Sequence, residues 1–171
     1  MRRLILFDID GTLLLCGRQV GPIFIEAMRA VYGDFRRPEG YSFAGKTDPM
    51  IVRDMVRALG LSEPVIEEGL PRMRDLYVER LDRDLDPAQM RVLAGVVDLL
   101  DRLSDRDDIL LGLLTGNWRR GAEVKLSRLG LDRYFDFDIG AFGGDGRIRR
   151  DLVPVALDRA GVHRGRAYEP D

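Results

Sequence analysis

Two stretches of the chain are apolar without polar alternation: residues 4–7, Leu4-Ile5-Leu6-Phe7, and residues 109–114. Such runs suit strands covered on both faces, as in a parallel sheet. A weaker third run, residues 137–142, leads into Gly143-Gly144-Asp145-Gly146. Between them, residues 96–103, 119–129 and 152–160 read as helices, with Gly130 and Gly161 standing where the second and third would end. Strands alternating with helices predict an α/β fold, a doubly wound parallel (Rossmann-like) sheet. Residues 17–90 contain no comparable run. Their apolar positions fall at helical spacing: Ile51, Val52, Met55, Val56 and Leu59, then Leu70, Met73, Leu76, Tyr77 and Leu81. Gly60 closes the first group, and Ser62 with Pro64 opens the next. The pattern predicts a helical cap over 17–90, inserted into an α/β core made of 1–16 and 91–171. A helical subdomain without a catalytic role would show the same amphipathicity.

Length and charge narrow the function. With 171 residues the chain fits one core and a modest insertion. Its 27 Lys and Arg nearly balance 29 Asp and Glu and are interspersed with them, so no basic stripe points to nucleic acid. A small ionic substrate fits this balance better than a polymer. The apolar run after Arg2 and Arg3 is interrupted at Asp8, too short for a signal or membrane segment. Cys16 is the only cysteine and cannot form an internal disulfide. Both features predict a cytoplasmic protein.

The first apolar run ends in Asp8-Ile9-Asp10-Gly11-Thr12. Side chains two apart on a strand point the same way, so the geometry places both carboxylates together with Ile9 opposite. The carboxyl end of a parallel strand is the usual ligand crevice of such sheets. Gly11 allows the chain to turn, and Thr12 can hydrogen-bond within the turn. One carboxylate there can attack phosphorus while its neighbour exchanges a proton with the leaving oxygen and then with water. Anionic nucleophile and anionic phosphate repel, so the pair calls for a cation, and Mg²⁺ is the natural choice.

Phe7-Asp8-Ile9-Asp10-Gly11-Thr12-Leu13 resembles the first signature, DxDGT, of the haloacid dehalogenase superfamily, and the later elements follow at compatible spacing. The resemblance implies that Asp8 is the nucleophile and Asp10 the general acid and base, with both acting as metal ligands. It favours the phosphatase branch, because true dehalogenases generally lack the second Asp. Thr115-Gly116-Asn117, behind the second strand, is similar to the second motif, where a hydroxyl binds the phosphoryl group; Thr115 takes that role, and Gly116 and Asn117 join Gly11 and Thr12 around it. For the third-motif cation the reading prefers Lys125, the only lysine outside the cap, with Arg149 and Arg150 as rivals. Phe43-Ala44-Gly45-Lys46-Thr47-Asp48 resembles the cap loop of phosphoglycolate-phosphatase and phosphoglucomutase types. There Lys46 would meet a carboxylate or hydroxyl of the leaving group, while Thr47 and Asp48 start the helix at Met50.

The fourth motif, an acidic GDxxxD-like pair expected after the helix near Gly161, has no match before the chain ends at Ala167-Tyr168-Glu169-Pro170-Asp171. Asp145 and Asp151 imitate it at the wrong spacing. The resemblance thus implies a member truncated before that motif, with residues 4–7 on an exposed sheet edge open to self-association. The expected activity is Mg²⁺-dependent hydrolysis of a small phosphorylated metabolite through an aspartyl-phosphate. The alternatives are a phosphomutase of the same family, or a catalytically impaired fragment acting as a binding module.

Overall fold

The computed structural model describes residues 3–35, 37 and 39–165. Ala167–Asp171, on which the expectation of truncation rests, lies outside them. Strand β1 (Arg3–Phe7) pairs in parallel with β4 (Ile109–Leu114), in a register that sets Arg3 against Ile109 and Phe7 against Leu113. β4 pairs in parallel with β5 (Gly140–Ala141), giving the order β1-β4-β5. The third strand is shorter than the run at 137–142 predicts. Asp136 and Ile139 close a backbone turn just before it, and Phe137 turns off to stack on Phe142.

The apolar runs meet apolar partners on both faces of the sheet, β4 more completely than β1. Leu4, Leu6, Leu110 and Leu114 face helix α6 (Leu152–Arg164), meeting Leu152, Ala156 and Ala160. Ile5, Phe7, Leu111 and Leu113 belong to the opposite, larger core, which holds Val96 and Leu100 of α4 (Val96–Ser104) and Ala122 and Leu126 of α5 (Arg119–Ser127). This is the doubly wound α/β core that the strand and helix pattern predicts. One boundary differs. α6 runs through Gly161 and stops at Gly165, whose left-handed backbone (φ 64°) lets its N–H turn back to Gly161 and Val162 carbonyls. Gly161 therefore costs helix propensity within α6 and does not end it.

Between β1 and β4 the chain forms α1 (Val20–Tyr32), α2 (Asp48–Arg57) and α3 (Glu63–Asp84). The last two match the two predicted apolar groups. Thr47 caps α2 by accepting the Met50 N–H, and Pro64 sits in the first turn of α3. The helix α1 is an addition to the sequence reading. It packs along α3 and buries Ile23, Phe24, Ala27 and Met28. A short antiparallel pair, β2 (Leu14–Leu15) with β3 (Arg91–Val92), ties the two ends of this helical segment together. Among the described residues no helix is long and apolar enough to cross a membrane.

Candidate active site

At the carboxyl end of β1 the backbone turns sharply. The Ile9 carbonyl accepts from the N–H groups of Thr12, Leu13 and Leu14, and Gly11 takes φ 79°, a conformation costly for any residue with a Cβ. Ile9 is fully buried, so the carboxylates of Asp8 and Asp10 are left facing a cavity of about 340 Å³. This is the opposition that strand periodicity predicts. Gly11 and Thr12 sit on the exposed outer side of the turn and do not line the cavity.

Each carboxylate is met by its own cation. Arg149 Nη2 lies 2.6 Å from Asp8 Oδ2, while Asp8 Oδ1 accepts the Ile9 N–H at 2.8 Å. Arg149 also donates to the Leu114 carbonyl, which fixes it at the end of β4. Lys125, on α5, is nearly inaccessible, and its ammonium donates to Asp10 Oδ1 (3.0 Å), Asp10 Oδ2 (2.8 Å) and Asn117 Oδ1 (2.7 Å). Asn117 passes the connection on: its amide donates to Asp10 Oδ2 and to Thr115 Oγ1, both at 2.8 Å. Thr115 is wholly buried, with its N–H on the Ala141 carbonyl. Its hydroxyl accepts from Asn117 and has its own proton to give to an anion. Of the three candidate cations, Lys125 and Arg149 both line the cavity, each paired with its own carboxylate. Arg150 does not line the cavity.

These contacts tune the charges. Burial is the largest single influence on Asp10 and would raise its pKa, but the Lys125 charge, the hydrogen bonds from Lys125 and Asn117 and the more distant Arg149 together outweigh it, and the carboxyl is held below its ordinary range. For Lys125 burial is again the largest single influence and opposes the charge, yet Asp10 first, with Tyr77, Cys16 and Asp48 adding to it, keeps its pKa above that of a free lysine.

A further acid enters from the helical segment. The Asp48 N–H donates to the Gly116 carbonyl at 2.7 Å, and Asp48 Oδ2 accepts the Trp118 N–H at 2.8 Å. Both bonds clasp the loop that carries Thr115 and Asn117. Gly116 permits this approach, because a Cβ there would come within 2.2 Å of the Lys46 carbonyl. Burial pushes the Asp48 carboxyl up to about 7, against the lowering effects of Lys125 and the Trp118 N–H. Sequence reasoning assigned Asp48 only to helix initiation. The missing information was the position of its side chain over residue 118, seventy positions away.

Lys46 lines the same cavity, but its ammonium is engaged. It sits 2.7 Å from Asp54 Oδ2 and 4.0 Å from the centre of the Tyr41 ring. Trp118 is buried and stacks on Phe24, Cys16 is buried in the main core, and His163 is a partly exposed residue of α6.

The donor set does not fit a magnesium ion as it stands. All four oxygens of Asp8 and Asp10 already accept from Ile9, Arg149, Lys125 or Asn117, and an added dication would lie beside two positive side chains. No group of three or more His, Cys, Asp or Glu residues suited to a metal occurs among the described residues. Asp145 is held by both Arg159 nitrogens and the Phe142 N–H, and Asp151 accepts the Ile148 N–H, so both are committed away from the cavity.

The family model for haloacid dehalogenase-like hydrolases matches residues 5–161. A hydrolase from Pseudomonas syringae superposes with a TM-score of 0.62 at 22% identity, covering 94% of this chain and 71% of that one. A predicted phosphatase from Clostridium acetobutylicum gives 0.60 at 15% identity, with 94% and 71% covered. CbbY from Rhodobacter sphaeroides, in complex with phosphate, gives 0.56 at 19% identity, with 98% and 76% covered. At these identities the structures attest the fold. No match among curated proteins was found.

Proposed function

Since the chain belongs to the haloacid dehalogenase-like hydrolases, we propose that it hydrolyses a small phosphomonoester, with Asp8 as nucleophile and Asp10 as proton carrier. The observation that carries this reading is the pairing Asp8 with Arg149 and Asp10 with Lys125 around Thr115, at the carboxyl ends of parallel strands. An Asp8 oxygen attacks phosphorus, the ester P–O bond breaks, and the leaving oxygen takes a proton from Asp10. Water then attacks the acyl phosphate, Asp10 receives its proton, and inorganic phosphate departs. Arg149, Lys125 and the Thr115 hydroxyl offset the charge on the phosphoryl oxygens. Asp10 needs a proton at the first step, although Lys125 favours its carboxylate. A phosphate dianion that competes for Lys125 weakens that hold and raises the carboxyl's affinity for a proton.

Within this reading residues 17–90 act as the cap, closing over the site through the Asp48 and Gly116 contacts. Phosphate release from p-nitrophenyl phosphate, with chemical trapping of a phosphorylated Asp8 peptide, tests the mechanism. Turnover without a trappable adduct would refute covalent catalysis by Asp8. Magnesium dependence, which the family resemblance implies, has a structural condition: a rate that rises with Mg²⁺ requires Arg149 to leave Asp8 Oδ2.

β1 is an edge strand in the described sheet, and its apolar residues are only partly covered. Such an edge is a template for pairing with a second copy. We expect concentration-dependent dimerisation in size-exclusion chromatography, abolished by Leu6→Pro: Arg3 donates to β4 through Asp108, so by alternation Leu6 turns its N–H to the open edge, where proline removes it. An unchanged monomer across the micromolar range would rule this out.

A further inference from the structure

We propose, on the basis of the phosphatase reading, that the leaving-group side of the cavity selects an apolar, ring-bearing alcohol and disfavours an anionic one. The cavity has two unlike kinds of lining. The strand ends, α5 and the turn before α6 contribute Asp8, Asp10, Lys125 and Arg149, whereas the helical segment contributes Val20, Phe24, Phe43, Ala44 and Ile51. Phe24 is buried, anchored by stacking on Trp118 (centroids 6.0 Å) and by an edge contact with Tyr77 (4.9 Å). Phe43 is only partly covered and meets Phe24 edge-on at 6.2 Å, which leaves ring surface for a further aromatic contact. A volume of about 340 Å³ is at the small end for ligand pockets, room for one phosphate and one ring-sized group.

Charge supplies the second, independent observation. Among the described residues Lys46 is the one cation that the helical segment contributes to the lining, and so the group there for an anionic leaving group to meet. Its charge is already neutralised by Asp54, which also accepts the Tyr41 hydroxyl, and its free side is covered by the Tyr41 ring. Arg37, nearby, stacks on Phe43 and donates to the Tyr41 carbonyl, and does not line the cavity. A substrate carboxylate here would lose water and displace Asp54 to gain a partner, while an apolar ring gains contact area without breaking a bond.

Two non-hydrolysable isosteres read the preference without turnover. 2-Phenylethylphosphonate mimics benzyl phosphate, and 3-phosphonopropionate mimics phosphoglycolate, which differs in carrying a carboxylate in place of the ring. By calorimetric titration the phenyl compound should bind at least about tenfold tighter. Phe43→Ala should erase most of that advantage. Asp54→Asn, which frees Lys46, should tighten 3-phosphonopropionate severalfold and leave the phenyl compound unchanged. Equal or tighter binding of 3-phosphonopropionate by the unsubstituted protein, or binding of neither compound, overturns the proposal. Tighter binding of the phenyl compound together with no hydrolysis of benzyl phosphate would leave this preference standing and sink the phosphatase reading instead.

Discussion

Asp8→Asn is expected to lower phosphate release from an aryl phosphate by roughly 10³–10⁶-fold while leaving the protein folded. The amide has the carboxylate's shape and keeps an oxygen to accept the Ile9 N–H, so the turn after β1 survives. What it loses is the electron pair that attacks phosphorus and the ion pair with Arg149. That pair is about 29% exposed on each side, and pairs with such access to water contribute only about 0–1 kcal/mol. Thermal unfolding of the variant should therefore lie within a few degrees of the parent, with the rate difference arising at the chemical step. Losing the Asp8 charge also relieves repulsion of the incoming phosphate, so inorganic phosphate should bind the variant at least as well as the parent. A variant that keeps a tenth of the parental rate would remove Asp8 as nucleophile. One that unfolds would instead show that the Asp8 and Arg149 contact is structural.

Much of this site was legible because its geometry is local. Asp8 and Asp10 are placed by one strand's two-residue period, and Thr115 and Asn117 directly follow a short apolar run that suits a buried strand. The parallel sheet and the helices on its two faces follow from the same runs. The basic residues were harder. Lys125 and Arg149 are twenty-four positions apart, and each sits on an element whose sequence looks like a solvated helix end. Only the folded arrangement shows that α5 carries Lys125 under Asp10, while the turn before α6 brings Arg149 to Asp8. Helix α1 went unrecognised although Ile23, Phe24, Ala27 and Met28 have helical spacing, because no capping residue marks its start: Gln19 makes no side-chain cap bond. Gly161 misled for the opposite reason. A glycine is a permitted helix end, but here the packing of Ala160 against Leu110 and Ile139 carries the helix past it.

The least legible member, Asp48, also has the most testable energetics. Its folded-state pKa of about 7 lies above the 3.8 of an ordinary aspartate, and the first cause is burial. Between these values the folded chain holds a proton at this position that the unfolded chain has released. Stability must then fall as pH rises: the contribution is fully present below pH 3.8 and is lost through about pH 7. The gap corresponds to about 4 kcal/mol at most, a large share of the 5–15 kcal/mol typical of whole domains. Asp10 and Asp145, whose pKa values are lowered, act in the opposite direction, so the parent's own profile mixes the contributions. Asp48→Asn isolates this one. Asparagine still accepts the Trp118 N–H and carries no charge to desolvate. Urea unfolding should find variant and parent similar near pH 4, with the variant more stable by a few kcal/mol at pH 8. Because the bond to Trp118 also clasps the phosphate loop, Asp48→Ala should be less stable than Asp48→Asn at both pH values, since it leaves that buried N–H unpaired. Parallel pH profiles for the parent and Asp48→Asn would mean that Asp48 is ionised in the folded protein throughout, held by Lys125 and the Trp118 N–H after all.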